Sequence, residues 1–469
     1  MEMAFLECVA CGSKFDAFPP RILCGNCGGT LEYNYDYERF KAAKFTERFS
    51  FWRYRQFLPE VKNIVSMGEG GTPLHKAHRI SKNVGFTNFY FKDETRNPTN
   101  SFMDRCATLL TSNALDLGYK SIVCATNGNL GASLAAYCAK FGLACHVVVP
   151  KNVDVGKLAQ MLIYDAVIEE YGELVDESLK RAGEIAKETS WYQGSFELNP
   201  LALEALKTIA YEVFEQMGVP DWFIVSMGSG GTIYAVWKGF KELEKAGKVG
   251  TLPKMVGVQA EGCSPIVNAY LWKTSKPILK TKPSTHALAI LVKDPAYGVL
   301  ALKAIKESKG LAVAVSDEEI FSAEREMAKF EGIFAEPASA ATYAAVKKLA
   351  NQGLIDKSDN IVCLITGSGL KATDVLQVLI KKRKTAVVGL ELSTKEKILR
   401  ILSKKDAYGY ELWKELGKVM TRAAVYQHLN ELSSRGLVAS YEKDGRKFFK
   451  ITKRGKKVLK AFDDLKVLL

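Results

Sequence analysis

The chain contains no long apolar run and no leader-like beginning. No stretch reaches the roughly 18 apolar residues that a membrane-spanning helix needs, and the first residues lack the basic-then-apolar layout of a secretory signal. Internal repeats and low-complexity tracts are also missing. These absences exclude a repeat array and favour a cytoplasmic globular protein. With 469 residues, 47% of them hydrophobic, the chain is long enough for about two to four domains.

Ten cysteines are unevenly placed along the chain. Four of them form the pairs Cys8-x-x-Cys11 and Cys24-x-x-Cys27, whereas the other six are scattered through apolar segments, as buried thiols in a reducing compartment would be. Each Cys-x-x-Cys turn aims two thiolates at one point, so the two pairs predict a structural zinc site in a ribbon-like domain over residues 1–35. A ribbon that has lost its metal is the alternative. A redox pair fits less well, because no thioredoxin-like strand and helix surround it.

Basic residues are concentrated near the C-terminus. Of the net charge of +13, residues 391–469 carry +9, from 19 Lys and Arg against 10 Asp and Glu. An anionic partner for this segment is the simplest explanation, and a basic solvated surface is the alternative. A basic linker, predicted over 379–392 and containing Lys381–Lys384, precedes this segment.

Residues 36–378 alternate short β-branched runs with amphipathic helical segments. Ser121–Ala125 is followed by Ala132–Lys140, for example, and Trp222–Ser226 by Thr232–Leu243. This alternation predicts an α/β fold in which parallel sheets are covered by helices on both faces.

Three polar loops follow predicted strands in this region. Gly228–Thr232 opens a helix, and a glycine loop at a helix N-terminus is typical of a phosphate site. Asn127–Asn129 also opens a helix, and Thr366–Gly369 follows the predicted strand Asn360–Ile365. Because ligands bind at the carboxyl ends of the strands in such sheets, the three loops predict one ligand site.

Ordered motifs in residues 1–378 resemble those of threonine synthases, which are fold-type II pyridoxal-phosphate enzymes. The motifs run in the family's order: Glu69–Leu74, Lys92–Phe102 with Asp104-Arg105, Gly156–Leu158, Glu336–Ser339 and Thr366–Lys371. The resemblance implies a tryptophan-synthase-β-like fold with two lobes of parallel sheet, preceded by the zinc ribbon that some members carry.

The resemblance also implies roles for individual residues. The glycine loop would hold the phosphate of pyridoxal phosphate, Asn129 the 3-oxygen of its pyridine ring and Thr366 the ring nitrogen. The implied cofactor-binding residues are Asn129, Gly228, Ser229, Gly230, Gly231, Thr232 and Thr366. In active members a lysine follows the phenylalanine that matches Phe102 and forms the imine with the cofactor, but here Met103 occupies that position.

With Met103 at this position, we expect the chain to lack the imine formation and proton transfer that the family's lysine performs. A thioether can neither form an imine nor accept a proton, and loss of general acid–base catalysis alone costs roughly 10²–10⁴ in rate. Further departures indicate natural divergence rather than one engineered change, since Asn100 and Cys106 replace the usual glycines and Ala202 replaces the arginine implied to grip the substrate's phosphate. We therefore predict no catalytic residue, and pyridoxal phosphate only as a ligand without an internal aldimine.

Residues 393–469 predict a winged helix-turn-helix. Ser393-x-x-Glu396 is a capping box for a first helix, Tyr410–Leu416 forms a second and a third begins at Thr421. A hairpin and a last amphipathic helix follow. The segments that resemble PadR-type winged-helix regulators are Tyr408–Leu412, Ala424–Leu429 and Arg435–Val438.

This second resemblance implies that the third helix enters the DNA major groove and that the wing contacts the DNA backbone. The candidate DNA-binding residues are Arg422, Tyr426, Gln427, Arg446 and Lys447. Winged helices also serve as protein-binding modules, which is the alternative. Because such regulators read paired half-sites, we expect a homodimer.

Taken together, these features predict a transcriptional regulator whose degenerate enzyme domain senses a ligand. The ligand would be pyridoxal phosphate held non-covalently, another phosphate or an amino acid. One alternative is an active pyridoxal-phosphate threonine synthase, or a related lyase, that forms its imine on another lysine and carries a regulatory tail. The other alternative is a ligand-free structural or partner-binding protein.

Overall fold

The computed structural model describes residues 4–17, 21, 23–43, 45, 48–279, 281–372, 388–418 and 420–468. They belong to two compact units, Met1–Val375 and Leu376–Leu469. None of the helices in the described ranges is both long and apolar enough to cross a membrane. Residues 379–387 of the predicted basic linker lie outside the described residues.

The first unit begins with a small antiparallel sheet of three strands. They are β1 (Ala4–Cys8), β2 (Lys14–Asp16) and β3 (Leu31–Tyr35), in the order β2-β1-β3. Alternate residues of β1 and β3 are buried, as expected for a sheet with one face on a core. That core is continuous with the core of the α/β part of the unit.

Two further sheets form the α/β part. Their strands are β4 (Leu74–Lys76), β5 (Asn88–Asp93), β6 (Ser121–Ala125), β7 (Ala144–Val149), β8 (Val167–Glu170), β9 (Tyr192–Gln193), β10 (Trp222–Ser226), β11 (Lys254–Ala260), β12 (Leu311–Val315) and β13 (Asn360–Ile365). The smaller sheet has the order β8-β7-β6-β9 and the larger one β12-β11-β10-β13-β5-β4. All pairings are parallel except that of the edge strand β4 with β5. The predicted α/β class with two parallel sheets is therefore confirmed.

Helices cover both faces of the larger sheet. Along β10, Phe223 and Val225 belong to one apolar core, whereas Trp222 and Ile224 belong to another, so every residue of the strand is buried. The helices of the unit are α1 (Glu38–Lys41), α2 (His78–Val84), α3 (Asp104–Asp116), α4 (Asn129–Phe141), α5 (Val155–Ile163), α6 (Val175–Thr189), α7 (Leu201–Met217), α8 (Gly231–Lys245), α9 (Pro265–Leu271), α10 (Gly298–Glu307), α11 (Asp317–Glu331) and α12 (Pro337–Asn351).

The second unit has the predicted order of three helices, a hairpin and a last helix. Its elements are α13 (Val388–Lys404), β14 (Ala407–Tyr408), α14 (Gly409–Glu415), α15 (Arg422–Ser434), β15 (Val438–Lys443), β16 (Arg446–Ile451) and α16 (Lys453–Leu468). β14 adds a third strand to the hairpin in the order β14-β16-β15. The side chains of Leu412, Val425, Leu429 and Phe449 pack in one core, which fixes the wing against α15.

The start of α13 differs from the prediction. The helix begins at Val388 and not at Ser393, so the proposed capping box lies inside the helix and residues 388–392 of the predicted linker are helical. A capping motif marks a start only where the preceding residues leave the helix, and Gly389–Leu392 contains no proline that would force them to do so. The N-cap at Thr421 is as predicted, because its hydroxyl accepts a hydrogen bond from the backbone N–H of Ala424 at 3.3 Å.

Candidate ligand cavity and nucleic-acid interface

One cavity lies where strands of both parallel sheets end. The loop after β6 contributes Thr126 and Asn127 to its wall, the loop after β10 contributes Met227–Gly230, and the residue after β13 is Thr366. The three polar loops that the sequence predicted as one site therefore meet in space. Of the predicted cofactor-binding residues, Asn129, Gly228, Ser229, Gly230, Thr232 and Thr366 line this cavity.

The glycine loop is packed too tightly to accept side chains. Gly230 has a φ of 90°, a conformation that L side chains rarely adopt. A Cβ atom on Gly231 would lie 2.4 Å from the ring of Phe196, so Gly231 supports the loop from behind and does not line the cavity. The loop leads directly into α8, a helix of 15 residues, whose partly positive N-terminus is at the cavity wall.

Glu336 organises another part of the wall. Its Oε1 accepts a hydrogen bond from the Thr366 hydroxyl at 2.9 Å, and the Asn129 side-chain N–H₂ donates to its two oxygens at 3.1 and 3.0 Å. The Ser339 hydroxyl lies 2.8 Å from that of Thr366. Glu336 engages the Asn129 amide nitrogen, whereas the Asn129 Oδ1 atom is buried without a hydrogen-bond partner among the described residues.

Lys157 lies behind Glu336. Its Nζ is 2.8 Å from Asp154 Oδ2 and 3.3 Å from Glu336 Oε2. Burial alone would lower the pKa of Lys157 and raise that of Glu336, but the ion pair outweighs it, so the pKa of Lys157 is raised and that of Glu336 is lowered. Lys157 is therefore a charged partner of Glu336 and a poor nucleophile.

Met103 is half-buried at the cavity wall, at the start of α3. The Asp104 carboxylate accepts hydrogen bonds from the backbone N–H and the hydroxyl of Thr99, both at 2.7 Å, and thereby ties the preceding loop to the helix. Within this loop Asn100 has a φ of 60°, a left-handed conformation that asparagine tolerates better than most residues. The backbone that presents Met103 to the cavity is thus fixed on both sides.

A buried ion network, which the sequence analysis missed, anchors α3. Arg105 lies 2.7 Å from Glu94 and 2.6 Å from Glu212, and Lys92 lies 2.6 Å from Glu212. All four side chains are fully buried. Lys92 was visible in the sequence only as part of a motif, and its partner Glu212 is 120 residues away. No local pattern connects residues at that separation.

The described wall of the cavity contains no lysine, arginine or histidine. It does contain Glu197, which no sequence motif marks and which the 3-10 turn Phe196–Leu198 brings beside the glycine loop. Burial and the nearby carboxylate of Asp176 raise the pKa of Glu197 to about 7, against the opposing effect of a hydrogen bond with Ser229.

Lys371 is a further buried lysine of the first unit. Its Nζ donates a hydrogen bond to the backbone carbonyl of Thr99 at 2.8 Å, and it does not line the cavity. Burial lowers the pKa of Lys371 to about 8, although the Asp104 carboxylate opposes this shift. Part of the Lys371 amine is therefore neutral near physiological pH.

The four predicted metal ligands converge in the small N-terminal sheet. The Sγ atoms of Cys8, Cys11, Cys24 and Cys27 all lie within 4.8 Å of one another. The Cys8–Cys27 and Cys11–Cys24 sulfur distances are 3.5 and 3.6 Å. A tetrahedral zinc ion with Zn–S bonds of about 2.3 Å holds its sulfurs about 3.8 Å apart, so this arrangement could bind zinc.

The predicted DNA-binding residues are exposed in the second unit. Arg422, Tyr426 and Gln427 lie on α15, and Arg446 and Lys447 lie at the start of β16. The guanidinium group of Arg422 is 4.7 Å from the ring centre of Tyr410 and 4.9 Å from that of Trp413. These rings hold the cation at the N-terminal end of α15, the end that contacts bases in helix-turn-helix proteins.

Comparisons with known proteins agree with this arrangement. Residues 65–367 match the family described as pyridoxal-phosphate dependent enzyme. The chain is 43% identical to the threonine synthase of Methanocaldococcus jannaschii over 379 residues, which cover 78% of this chain and 93% of that protein. It is 38% identical to the threonine synthase of Methanosarcina acetivorans over 377 residues, which cover 79% and 92%.

This chain belongs to the threonine synthase family. Solved structures at about 20% identity share its fold: maize serine racemase has a TM-score of 0.56 and covers 66% of this chain and 92% of its own. The processed form of threonine deaminase isoform 2 from Solanum lycopersicum has a TM-score of 0.56 and covers 67% and 88%. Residues 398–461 match the PadR-like family of transcriptional regulators, so a PadR-like domain follows the threonine-synthase-like one.

Membership in this family supports pyridoxal phosphate as a ligand of the cavity. The wall fits part of that group, since Asn129, Thr366 and the N-terminus of α8 offer polar contacts for a ring and its phosphate. It offers no amine for an imine, because Met103 is a thioether and the described lining residues include no lysine.

Proposed function

We propose that this protein is a ligand-responsive transcriptional regulator whose threonine-synthase-like domain has lost its imine chemistry. The observation that carries the proposal is the cavity wall, whose described lining residues include Met103 and no lysine. The same chain also has a PadR-like domain. Such a cavity can bind a ligand without converting it. Pyridoxal phosphate held non-covalently, another phosphate and an amino acid are the candidate ligands.

Two of the family departures touch each other, which supports natural divergence. The Cys106 thiol donates a hydrogen bond to the backbone carbonyl of Ala202 at 3.5 Å, and both residues are fully buried where α3 meets α7. Contacting changes at α3 and α7 are expected where a site no longer binds its original substrate. One engineered substitution at position 103 would have left both positions unchanged.

DNA binding is proposed for the second unit through Arg422, Tyr426, Gln427, Arg446 and Lys447. The exposure of these side chains and the charge of +9 on residues 391–469 support it. A homodimer that reads paired half-sites, in the cytoplasm, completes the proposal. We also propose a structural zinc ion on the four clustered cysteines, since all four ligand positions would be filled by protein.

The test is DNA binding by the full-length protein. DNA selected from fragmented genomic DNA would be titrated by fluorescence anisotropy, alone and with pyridoxal phosphate, inorganic phosphate or each amino acid. We expect one ligand to change the DNA affinity by about 5- to 150-fold, which corresponds to about 1–3 kcal/mol of coupling. If none of these ligands changes the DNA affinity, the proposal that the cavity senses a ligand is contradicted. If the protein shows no salt-sensitive DNA binding, the proposal that it is a transcriptional regulator is contradicted.

A second function is favoured by the 43% identity to a threonine synthase. In this alternative the chain is an active pyridoxal-phosphate enzyme that forms its imine on another lysine. Lys371, whose pKa is about 8, would supply the neutral amine, and its side chain would have to leave the carbonyl of Thr99 to reach the cavity. Borohydride reduction after addition of pyridoxal phosphate would then label Lys371, and Lys371→Arg would abolish the label.

A further inference from the structure

The cavity wall has an excess of hydrogen-bond and charge acceptors. Its described residues include the carboxyl groups of Glu197 and Glu336 and no cationic side chain. Asn129 adds an amide oxygen that is buried without a partner, on a residue with only 7% of its surface exposed. Buried acceptors without donors are costly, so the wall is arranged for a ligand that brings donors.

The two carboxyl groups differ in their surroundings. Glu336 is neutralised from behind by Lys157 and also accepts hydrogen bonds from Asn129 and Thr366. Glu197 has no ion-pair partner among the described residues, and the charged group that acts on it is the carboxylate of Asp176. The charge of Glu197 is therefore available to a ligand.

The position of Glu197 limits which anions the glycine loop can bind. The N-terminus of α8 and its loop attract an anion, and Glu197 lines the same cavity as Ser229 of that loop. A phosphate, which carries a charge of about −1.5 to −2 near pH 7, would meet this carboxylate directly. A single carboxylate with an adjacent ammonium group would use both features, because the ammonium group compensates Glu197.

We propose that the cavity recognises an unphosphorylated α-amino acid, with its carboxylate at the glycine loop and its ammonium group at the acceptors of Glu197 and Asn129. This proposal rests on the proposed function, in which the cavity binds its ligand without converting it. Glu197 is then the residue that discriminates against phosphates, including pyridoxal phosphate. The discrimination is strongest where Glu197 is ionised, so it weakens as the pH falls below 7.

The experiment uses the full-length protein and two variants, Glu197→Gln and Glu324→Gln. Glu324 is a matched control, because burial raises its pKa to about 7 as well and it lies on α11 away from the cavity wall. Binding of the twenty L-amino acids at millimolar concentration would be measured by calorimetry at pH 8, and each binder would be compared with its N-acetyl derivative. Binding of pyridoxal phosphate would be followed by quenching of tryptophan fluorescence at pH 8 and pH 6.

We expect at least one free amino acid to bind and its N-acetyl form to lose the interaction. Glu197→Gln should weaken the amino acid about tenfold or more, the effect of losing one charged hydrogen bond, and should tighten pyridoxal phosphate at pH 8. At pH 6 wild type and Glu197→Gln should bind pyridoxal phosphate with nearly the same affinity. Glu324→Gln should behave like wild type at both pH values. The proposal is overturned if no amino acid binds, or if wild type binds pyridoxal phosphate at pH 8 as tightly as Glu197→Gln does.

The same measurements separate this inference from the proposed function. If an amino acid binds through Glu197 but leaves DNA affinity unchanged, the cavity assignment stands and the regulator proposal fails. If pyridoxal phosphate alters DNA binding while no amino acid binds, the regulator proposal stands and this inference fails.

Discussion

Introducing a lysine at position 103 tests whether the absence of an amine at the cavity wall is what prevents imine formation. Imine formation requires a neutral amine at the cavity wall, and the wild-type candidates fail for different reasons. Lys157 is held charged by Asp154 and Glu336. Lys371 has a pKa of about 8, so about a quarter of its amine is neutral at pH 7.5, against about one in a thousand for an ordinary lysine. It does not line the cavity, however, and its Nζ donates to the carbonyl of Thr99.

A lysine in place of Met103 would lack these constraints. The position is the N-cap of a 13-residue helix and is half-buried at the cavity wall. The positive end of the helix dipole destabilises a cation there by about 0.3–1 kcal/mol, which enriches the neutral amine by about two- to fivefold. The backbone on both sides is already fixed by Asp104 and by the Arg105 network, so the new amine would face the cavity without rearrangement.

The assay is the absorbance spectrum with pyridoxal phosphate, followed by borohydride reduction and peptide mapping. Met103→Lys is expected to give an imine band and a reduced adduct on residue 103, about tenfold or more above any lysine of wild type. Met103→Leu, which has a similar size and no amine, is the control and should resemble wild type. The reasoning is refuted if wild type forms as much lysine adduct as Met103→Lys, or if Met103→Lys binds pyridoxal phosphate and forms none.

Three other predictions concern the metal site, a buried acid and the DNA-binding surface. Because the four sulfurs are clustered, we expect elemental mass spectrometry to find one zinc ion per chain. Cys24→Ser should lose the zinc ion and Ser13→Ala should keep it. A wild-type protein purified with four reactive thiols and no zinc would contradict this prediction. Burial raises the Glu324 pKa from 4.5 to about 7, so the folded state loses stability as the pH rises through that window. In urea unfolding at pH 8, Glu324→Gln should therefore be more stable than wild type by up to about 3 kcal/mol. At pH 4.5 the two proteins should be about equally stable. An equal difference at both pH values would show that ionisation is not the cause. Lys447→Ala should lower the slope of log affinity for DNA against log salt by about one, whereas Lys303→Ala, an exposed lysine of the first unit, should leave the slope unchanged.

Much of the fold was predictable because its signals are local. β10 and β13 have the predicted bounds, since their apolar runs are flanked by polar residues, and Thr421 caps α15 as its hydroxyl allows. The start of α13 was wrong because a capping motif says nothing about residues upstream that remain helical.

The candidate site was predictable in its loops but not in its electrostatics. Glycine and asparagine turns after strands indicated which residues would meet, and Asn129 and Thr366 do line one cavity. The pairing of Asn129 with Glu336 spans 207 residues, and the position of Glu197 beside Ser229 depends on a 3-10 turn with no sequence signature. Such contacts depend on how the two sheets are placed, which no local pattern specifies.

The most direct test of a ligand-responsive regulator is calorimetric titration of the best-binding ligand into the full-length protein, free and saturated with its selected DNA. Thermodynamic linkage requires that bound DNA change the protein's affinity for the ligand by the same factor by which bound ligand changes its affinity for DNA. Our account predicts a difference of about 5- to 150-fold between the two titrations. Equal affinities of the ligand for the free and the DNA-bound protein would contradict it.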